Sequence, residues 1–310
     1  MQLTTLSCKA GIVMIVLSLM LNGCASSVNQ ANNTTRDEAN SVVPPTGKVA
    51  SPTAPISQAK RVVALSSLSA DIIHRLDKTK LVGITGSRLL NQNPEFAQMT
   101  RVAEGRTPPN LEKILALKPD LVIGSQGFHD QVLQQLGNSG IATLATEVDS
   151  WQSLEAVTRQ LAAAIGVDPN PLLQSYQSFI RKGNSSKSVL VLAGDQPIMT
   201  PNKQSWTGDL LQQFGLKNVT ADLQQDSPMR GYVSLSPEKI LQANPDILIV
   251  VDTGEGIEKF KSAAFWKDLR AVKENQVYTF DYYGLVNAGS IGAIEQACKK
   301  LQREILALQS

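Results

Sequence analysis

Ser236-Pro-Glu-Lys239 has the S-x-x-K spacing in which a lysine can draw the proton from a serine nucleophile, and Ala288-Gly-Ser290-Ile-Gly292 imitates a strand-to-helix nucleophile elbow with its first glycine replaced. Neither fragment has the partners that hydrolysis needs. No S-D-N or K-T-G sequence accompanies the first, and a Ser-His-Asp triad on the second requires a histidine after the serine, whereas none follows His129. Ser236 has a simpler use as a helix N-cap. No catalytic residue is expected, and the chain is not expected to be an enzyme. Metal chemistry is equally poorly supplied. His74, in SADIIHRL, has no nearby partner and reads as a solvated or packing residue, and His129, in SQGFHD, lies at a strand end, but one histidine does not make a site. No metal site and no cofactor are expected.

The remaining chemistry is recognition. Ser66 and Ser67, Ser87 and Arg88, and Arg106 all fall just beyond predicted strands or in the loops that follow them. So do Trp206, Arg230, Tyr232, Asp252, Thr253, Tyr282 and Tyr283 in the second half of the chain. Arginine holds carboxylate or catecholate oxygens in bidentate fashion, and aromatic rings supply flat apolar walls. Only 5% of the residues are aromatic, so their gathering at strand ends suggests a lining for a bulky, anionic, partly apolar ligand. Each of them also has a plainer use, in loop packing or as an exposed charge.

The elements that would position them alternate from Arg61 onward. RVVALSS, LVGITGS, DLVIGSQ and IATLAT read as strands separated by the helical SADIIHRL, NLEKILAL and DQVLQQLG. Runs such as LVIG are apolar throughout, as parallel strands covered on both faces require. The second half repeats the scheme with SVLVLAGD, SWTGDLLQQFG, SPEKILQA, DILIVVDTG, AAFWKDLR, QVYTFDYY and a final helix from Ser290. The expected fold class is α/β, with two α/β lobes of parallel-rich sheet at 61–150 and 187–310. A helical connector at 151–186 joins them, broken where Asp168-Pro-Asn-Pro171 must interrupt a helix. Ligands sit at the carboxyl ends of strands in open α/β sheets, which places the cleft between the lobes.

One sentence is written twice. EKILALKPDLVI (112–123) and EKILQANPDILI (238–249) agree at seven of twelve positions, and each opens with a glutamate two residues after a good N-cap, Asn110 or Ser236. An acid in the first helical turn complements the helix dipole. The pattern of strand, acid-capped helix, Lys-Pro-Asp or Asn-Pro-Asp and buried strand, repeated across a helical connector over Arg61 to Leu308, also resembles the class III periplasmic solute-binding proteins that deliver ferric siderophores and cobalamin to ABC importers. The resemblance implies that Glu112 and Glu238 lie on the outer face of the lobes and meet arginines on two equivalent permease subunits. It further implies that Arg106 and Tyr232, each six residues before its glutamate, face the ligand.

The front of the chain reads differently. Lys9 precedes the apolar run GIVMIVLSLML, too short to span a bilayer comfortably, and the run stops at Leu21-Asn22-Gly23-Cys24. This tetrapeptide resembles a bacterial lipobox, which implies a signal peptide at 1–23 and a lipid on Cys24, with Asn22 a slight departure; an ordinary secretion signal with an incidental cysteine is the alternative. Residues 24–60, rich in Ser, Thr, Asn, Ala and Pro, have no apolar periodicity and read as a disordered tether reaching on the order of 30 Å. After removal of Cys8 only Cys24 and Cys298 remain, which excludes a disulfide framework. A net charge of +2 excludes nucleic acid as a partner class.

The resulting expectation is a monomeric binding protein of the cell envelope, lipid-anchored on the periplasmic side, which captures a ferric siderophore or related chelate and docks to an ABC importer permease dimer. Ligand contacts are expected from Ser67, Arg88, Arg106, Trp206, Arg230, Tyr232, Tyr282 and Tyr283. Cobalamin is the nearest alternative, and haem, with Tyr282 or His129 as axial ligand, a further one. From another class comes a cell-envelope scaffold that no longer transports, which the paired glutamates disfavour.

Overall fold

β1 (Val62–Ala64) is buried on both faces, with Val62 and Ala64 in one apolar cluster and Val63 in another. β4 (Leu121–Ser125) divides in the same way, Leu121 and Ile123 against Val122. This is why both strands are apolar without alternation. Together with β2 (Leu81–Gly86), β3 (Arg101–Glu104) and β5 (Ala142–Thr146) they form a parallel sheet in the order β3-β2-β1-β4-β5. The computed structural model describes residues 58–105, 107–183, 185–224, 230–252 and 256–307, all within the unit Gly47–Ser310. The expected signal peptide, Cys24 and most of the tether, together with Arg106 and Thr253, lie outside the described residues.

The second lobe is built around β6 (Ser188–Leu192), whose Val189 and Val191 join the cluster of Val62 while Leu190 and Leu192 join a separate one. After the short β7 (Gly194–Asp195), β8 (Ile198–Pro201), β9 (Lys217–Asn218) and β10 (Tyr232–Ser234) come β11 (Ile247–Asp252) and β12 (Val277–Asp281). The sheet β12-β11-β6-β9 is parallel. The chain adds an antiparallel sheet, β10-β8-β7, that the alternation of apolar runs does not announce. AAFWKDLR, expected as one helix, forms a single 3-10 turn, Trp266–Asp268, and a short helix, Arg270–Lys273, because Leu269 between them is extended.

The lobes share their core. Strand residues of both lobes, Val62 and Ile123 on one side and Val191 and Ile249 on the other, belong to one cluster with Leu154 and Leu161 of the connecting helix Trp151–Ile165. That helix starts with a reciprocal Ser150–Ser153 capping box and stops at Gly166 in the left-handed region, before the shorter helix Asn170–Gln177. Two polar ties reinforce the joint: the buried Asp71 carboxylate accepts from Ile291 N at 2.7 Å, and the half-buried Asp209 carboxylate accepts from Trp151 N at 2.7 Å. A shared apolar core of this kind resists hinge motion between lobes.

Candidate functional site

Each lobe sends an arginine across to an acid of the other. Arg88 leaves the carboxyl end of β2, where Ser87 caps the short helix Arg88–Asn91, and its Nη2 meets both Asp281 oxygens at 3.1 and 2.9 Å at the carboxyl end of β12. In return Arg230 Nη1 of the second lobe lies 3.3 Å from Glu147 Oε1, and its Nη2 3.7 Å from Asp149 Oδ2, both just beyond β5. The lobes are thus bridged at two places, at the carboxyl edges of β2 and β12 and between the segment before β10 and the one after β5. Both arginines are more than half exposed, so each pair is worth at most about 1 kcal/mol, and the guanidinium groups are available to exchange partners.

Aromatic and hydroxyl groups surround the first bridge. The Arg88 guanidinium lies 5.3 Å from the centroid of the Tyr283 ring, which in turn meets Tyr282 edge-on at 5.4 Å. Asp281 caps this turn by accepting from Tyr283 N at 2.8 Å. A side chain at Gly289 would come within 2.6 Å of the Tyr283 ring and 2.7 Å of Leu89, so a glycine is needed for the lobes to approach this closely. Ser67 Oγ and Ser87 Oγ are hydrogen-bonded at 2.8 Å, joining the loops that follow β1 and β2.

Two expected lining residues are placed in the interior. Trp206 is 4% exposed: its indole N–H donates to Gly284 O at 2.9 Å and its ring stacks on Trp151 at 6.1 Å. Tyr232 is 7% exposed, with its hydroxyl 3.4 Å from Thr207 Oγ1, and burial pushes its pKa up to about 12. Trp206 and Thr207, at the start of the helix Trp206–Gln213, donate to Gly284 O and Leu285 O of the turn at Tyr282–Leu285, so Trp206 supports that turn directly and Tyr232 reaches it through Thr207. Arg88, Arg230, Tyr282, Tyr283 and Ser67 are brought to the junction of the lobes. Asp252 is exposed at the end of β11.

The two glutamates stand on matching frames. Glu112 is in the first turn of the helix Leu111–Ala116, where the Asn110 side chain accepts from Lys113 N at 2.9 Å. Glu238 is in the first turn of Pro237–Ala243, capped by Ser236. Both are exposed, and the Ser236 hydroxyl, by hydrogen-bonding the Glu238 carboxylate, holds it below the usual carboxylate range.

The sequence profile of the family described as "Periplasmic binding protein" matches residues 62–168 and 173–283, nearly all of the two lobes and their connector. The chain belongs to this family. It is a class III solute-binding protein, of the type that serves ABC importers, and not an enzyme. Among its relatives, an uncharacterized ABC transporter substrate-binding lipoprotein YvrC of Bacillus subtilis is 25% identical, over 88% of this chain and 90% of that one. The Fe(3+)-citrate-binding protein YfmC of the same organism is 25% identical over 94% of this chain and 95% of that one. The solved structure of the periplasmic vitamin B12 binding protein BtuF of Vibrio cholerae, 22% identical, covers 81% of this chain and 99% of that one with a TM-score of 0.57.

Within a family defined by solute capture, four residues that sequence reasoning passed over gain interest. Asp281, Glu147 and Asp149 hold the arginines, and Phe128, 79% exposed beyond β4, offers a bare ring at the same edge of the first sheet. A phenylalanine in SQGFHD, flanked by Gly127 and His129 at a strand end, is the signal that was available. Among the described residues no group of three or more His, Cys, Asp or Glu is placed to hold a metal ion. His74 packs on Phe96 with the rings tilted and their centroids 4.7 Å apart, and lies 3.6 Å from Glu95.

His129 is buried, and its Nδ1 accepts from Ser125 N at 2.9 Å, which places the imidazole proton on Nε2. Burial lowers its pKa, and the unfolded chain, titrating near about 6.5, takes up the proton first as pH falls. Its stabilising contribution is therefore whole above that pH and lost as pH drops toward the depressed folded value. Calorimetric melting temperatures should decline through this window, and less steeply in His129→Gln than in the wild type; parallel profiles would contradict the assignment.

Proposed function

We propose that this chain is the lipid-anchored substrate-binding protein of an ABC importer, that it captures an anionic ferric chelate at the junction of its lobes, and that it docks through Glu112 and Glu238. The observation that carries the ligand class is the pair of exposed arginines, Arg88 and Arg230, one from each lobe, each held by an acid that an anionic ligand can replace. A carboxylate- or catecholate-bearing chelate supplies oxygens to both guanidinium groups while its apolar parts rest on Phe128, Tyr282 and Tyr283. Ser67 extends the polar lining, and the family resemblance adds Arg106 as a ligand contact. The Fe(3+)-citrate-binding relative supports this class. Phe128 and Tyr282, both exposed, favour cobalamin as a second reading, because a large macrocycle is held by stacking and van der Waals contact. Deleting the chain from its bacterium should abolish high-affinity uptake of radio-iron-labelled ferric citrate, and restoring it should recover uptake. Loss of cobalamin uptake instead would favour the second reading, and loss of neither would refute both.

Anchoring rests on the lipobox-like Leu21-Asn22-Gly23-Cys24 and on the lipoprotein relative. Cys24→Ser should move the protein from the membrane to the soluble fraction with an unchanged melting temperature, because Cys24 precedes the lobes by a segment without core periodicity. Retention of the variant in washed membranes would contradict anchoring at this residue.

A further inference from the structure

The seven identities between the two copies of the repeat divide by burial. Ile114 and Ile240 are fully buried, as are Ile123 and Ile249 in their sheets, and Pro119 and Pro245 are buried as well. Asp120 and Asp246 make equivalent clamps: Asp120 accepts from Lys60 N at 2.8 Å and Arg61 N at 2.9 Å, and Asp246 accepts from Ser188 N at 2.7 Å, so each ties the start of its lobe's first strand. Folding accounts for these four. The other three, Glu, Lys and Leu at 112, 113, 115 and again at 238, 239, 241, are exposed in both copies. A lysine on a helix surface is at home in water. A leucine gains nothing there, yet Leu115 is 45% and Leu241 37% exposed, two of the five large apolar side chains exposed among the described residues.

Resting on the docking role proposed for the glutamates, we propose that Leu115 and Leu241 are permease contacts, so that each lobe presents an acid and, three residues on along the same helical face, an apolar knob. The partner this fits has two equivalent subunits, each offering a cation beside an apolar pocket. A partner without that symmetry would give no reason for the same exposed residues to recur in both lobes, and a second copy of this chain could pair through one lobe alone. The charges orient the encounter, and the leucines, losing their remaining water contact, slow release. Burial of the exposed part of each leucine corresponds to roughly fivefold in affinity.

The test uses the full-length chain in its own bacterium. The photo-crosslinker p-benzoylphenylalanine, placed in turn at 115 and 241, should form adducts with the same membrane permease polypeptide, identified by mass spectrometry. Leu115→Ser/Leu241→Ser should raise the amount of binding protein needed for half-maximal uptake of ferric citrate by roughly 25-fold, the square of the single-site estimate, with melting temperature and ferric citrate affinity unchanged. Uptake is read with radio-iron-labelled ferric citrate and, in parallel, radiocobalt-labelled cyanocobalamin. Adducts only with another copy of this chain, adducts from one position alone, or wild-type transport by the serine variant would overturn the proposal. If the serine variant transports normally while Glu112→Ala/Glu238→Ala does not, the leucine assignment alone fails; if both transport normally, the docking role fails with it.

Discussion

Glu112→Ala/Glu238→Ala should nearly abolish uptake while leaving ligand affinity almost unmoved, and each single variant should transport at an intermediate rate. Both carboxylates are exposed on short helices whose caps do not need them: Asn110 caps one and Ser236 the other. Removing them takes nothing from the core and nothing from the arginine bridges. What they provide is orientation. A single exposed charge pair is weak and leaves the protein free to swivel on the permease, whereas two pairs, one per lobe, fix one pose because the second forms at the high effective concentration set by the first. The loss in the double variant should therefore exceed that expected from either single. Glu112→Lys/Glu238→Lys should be worse still, since like charges would then face the permease. Uptake assays beside titration calorimetry on the same variants check this. Lost ligand binding with normal docking, or transport at the wild-type rate, would leave the repeat as a folding unit only.

Arg88→Ala should weaken ferric citrate binding by about 1 to 2 kcal/mol, roughly five- to thirtyfold. The range lies below that of a fully desolvated charged hydrogen bond, because Arg88 is more than half exposed and must surrender Asp281, a pair itself worth about 0 to 1 kcal/mol, before it can hold the ligand. The same competition gives a prediction of opposite sign. Asp281→Asn should tighten binding by up to about 1 kcal/mol, since it frees the guanidinium while the amide oxygen still accepts from Tyr283 N. Titration calorimetry on the two variants decides: weakening in one and tightening in the other supports exchange of partners at Arg88, and two unchanged constants would remove Arg88 from the site.

The fold was legible where burial is two-sided. β1, β4, β6 and β11 carry unbroken apolar runs because each run is covered on both faces, and the repeat announced that the lobes are alike. β3 was not read, since Arg101–Glu104 is four residues long with a charge at each end. Nor was the antiparallel sheet: Tyr232 pairs with Pro201 across a long intervening segment, and the link between β7 and β8 is Gln196-Pro197, not one of the Asn-Gly or Asp-Gly pairs that announce a hairpin. At the junction of the lobes the arginines were legible by type and position, and their partners were not. Arg88 and Asp281 are 193 residues apart, and Arg230 and Glu147 83, so no local period links them. The burial of Trp206 and Tyr232 was hidden for a related reason: a ring at a strand or helix end reads the same whether it faces a ligand or, like Trp206 on Trp151, another ring from the connector.

Titration calorimetry of the lobes with ferric citrate, a ferric catecholate chelate, cyanocobalamin and haemin tests the central claim most directly. The account predicts saturable one-to-one binding of an anionic ferric chelate, tighter than cyanocobalamin and weakened by Arg88→Ala. Tightest binding of cyanocobalamin with indifference to Arg88→Ala, or no binding of any of the four, would contradict it.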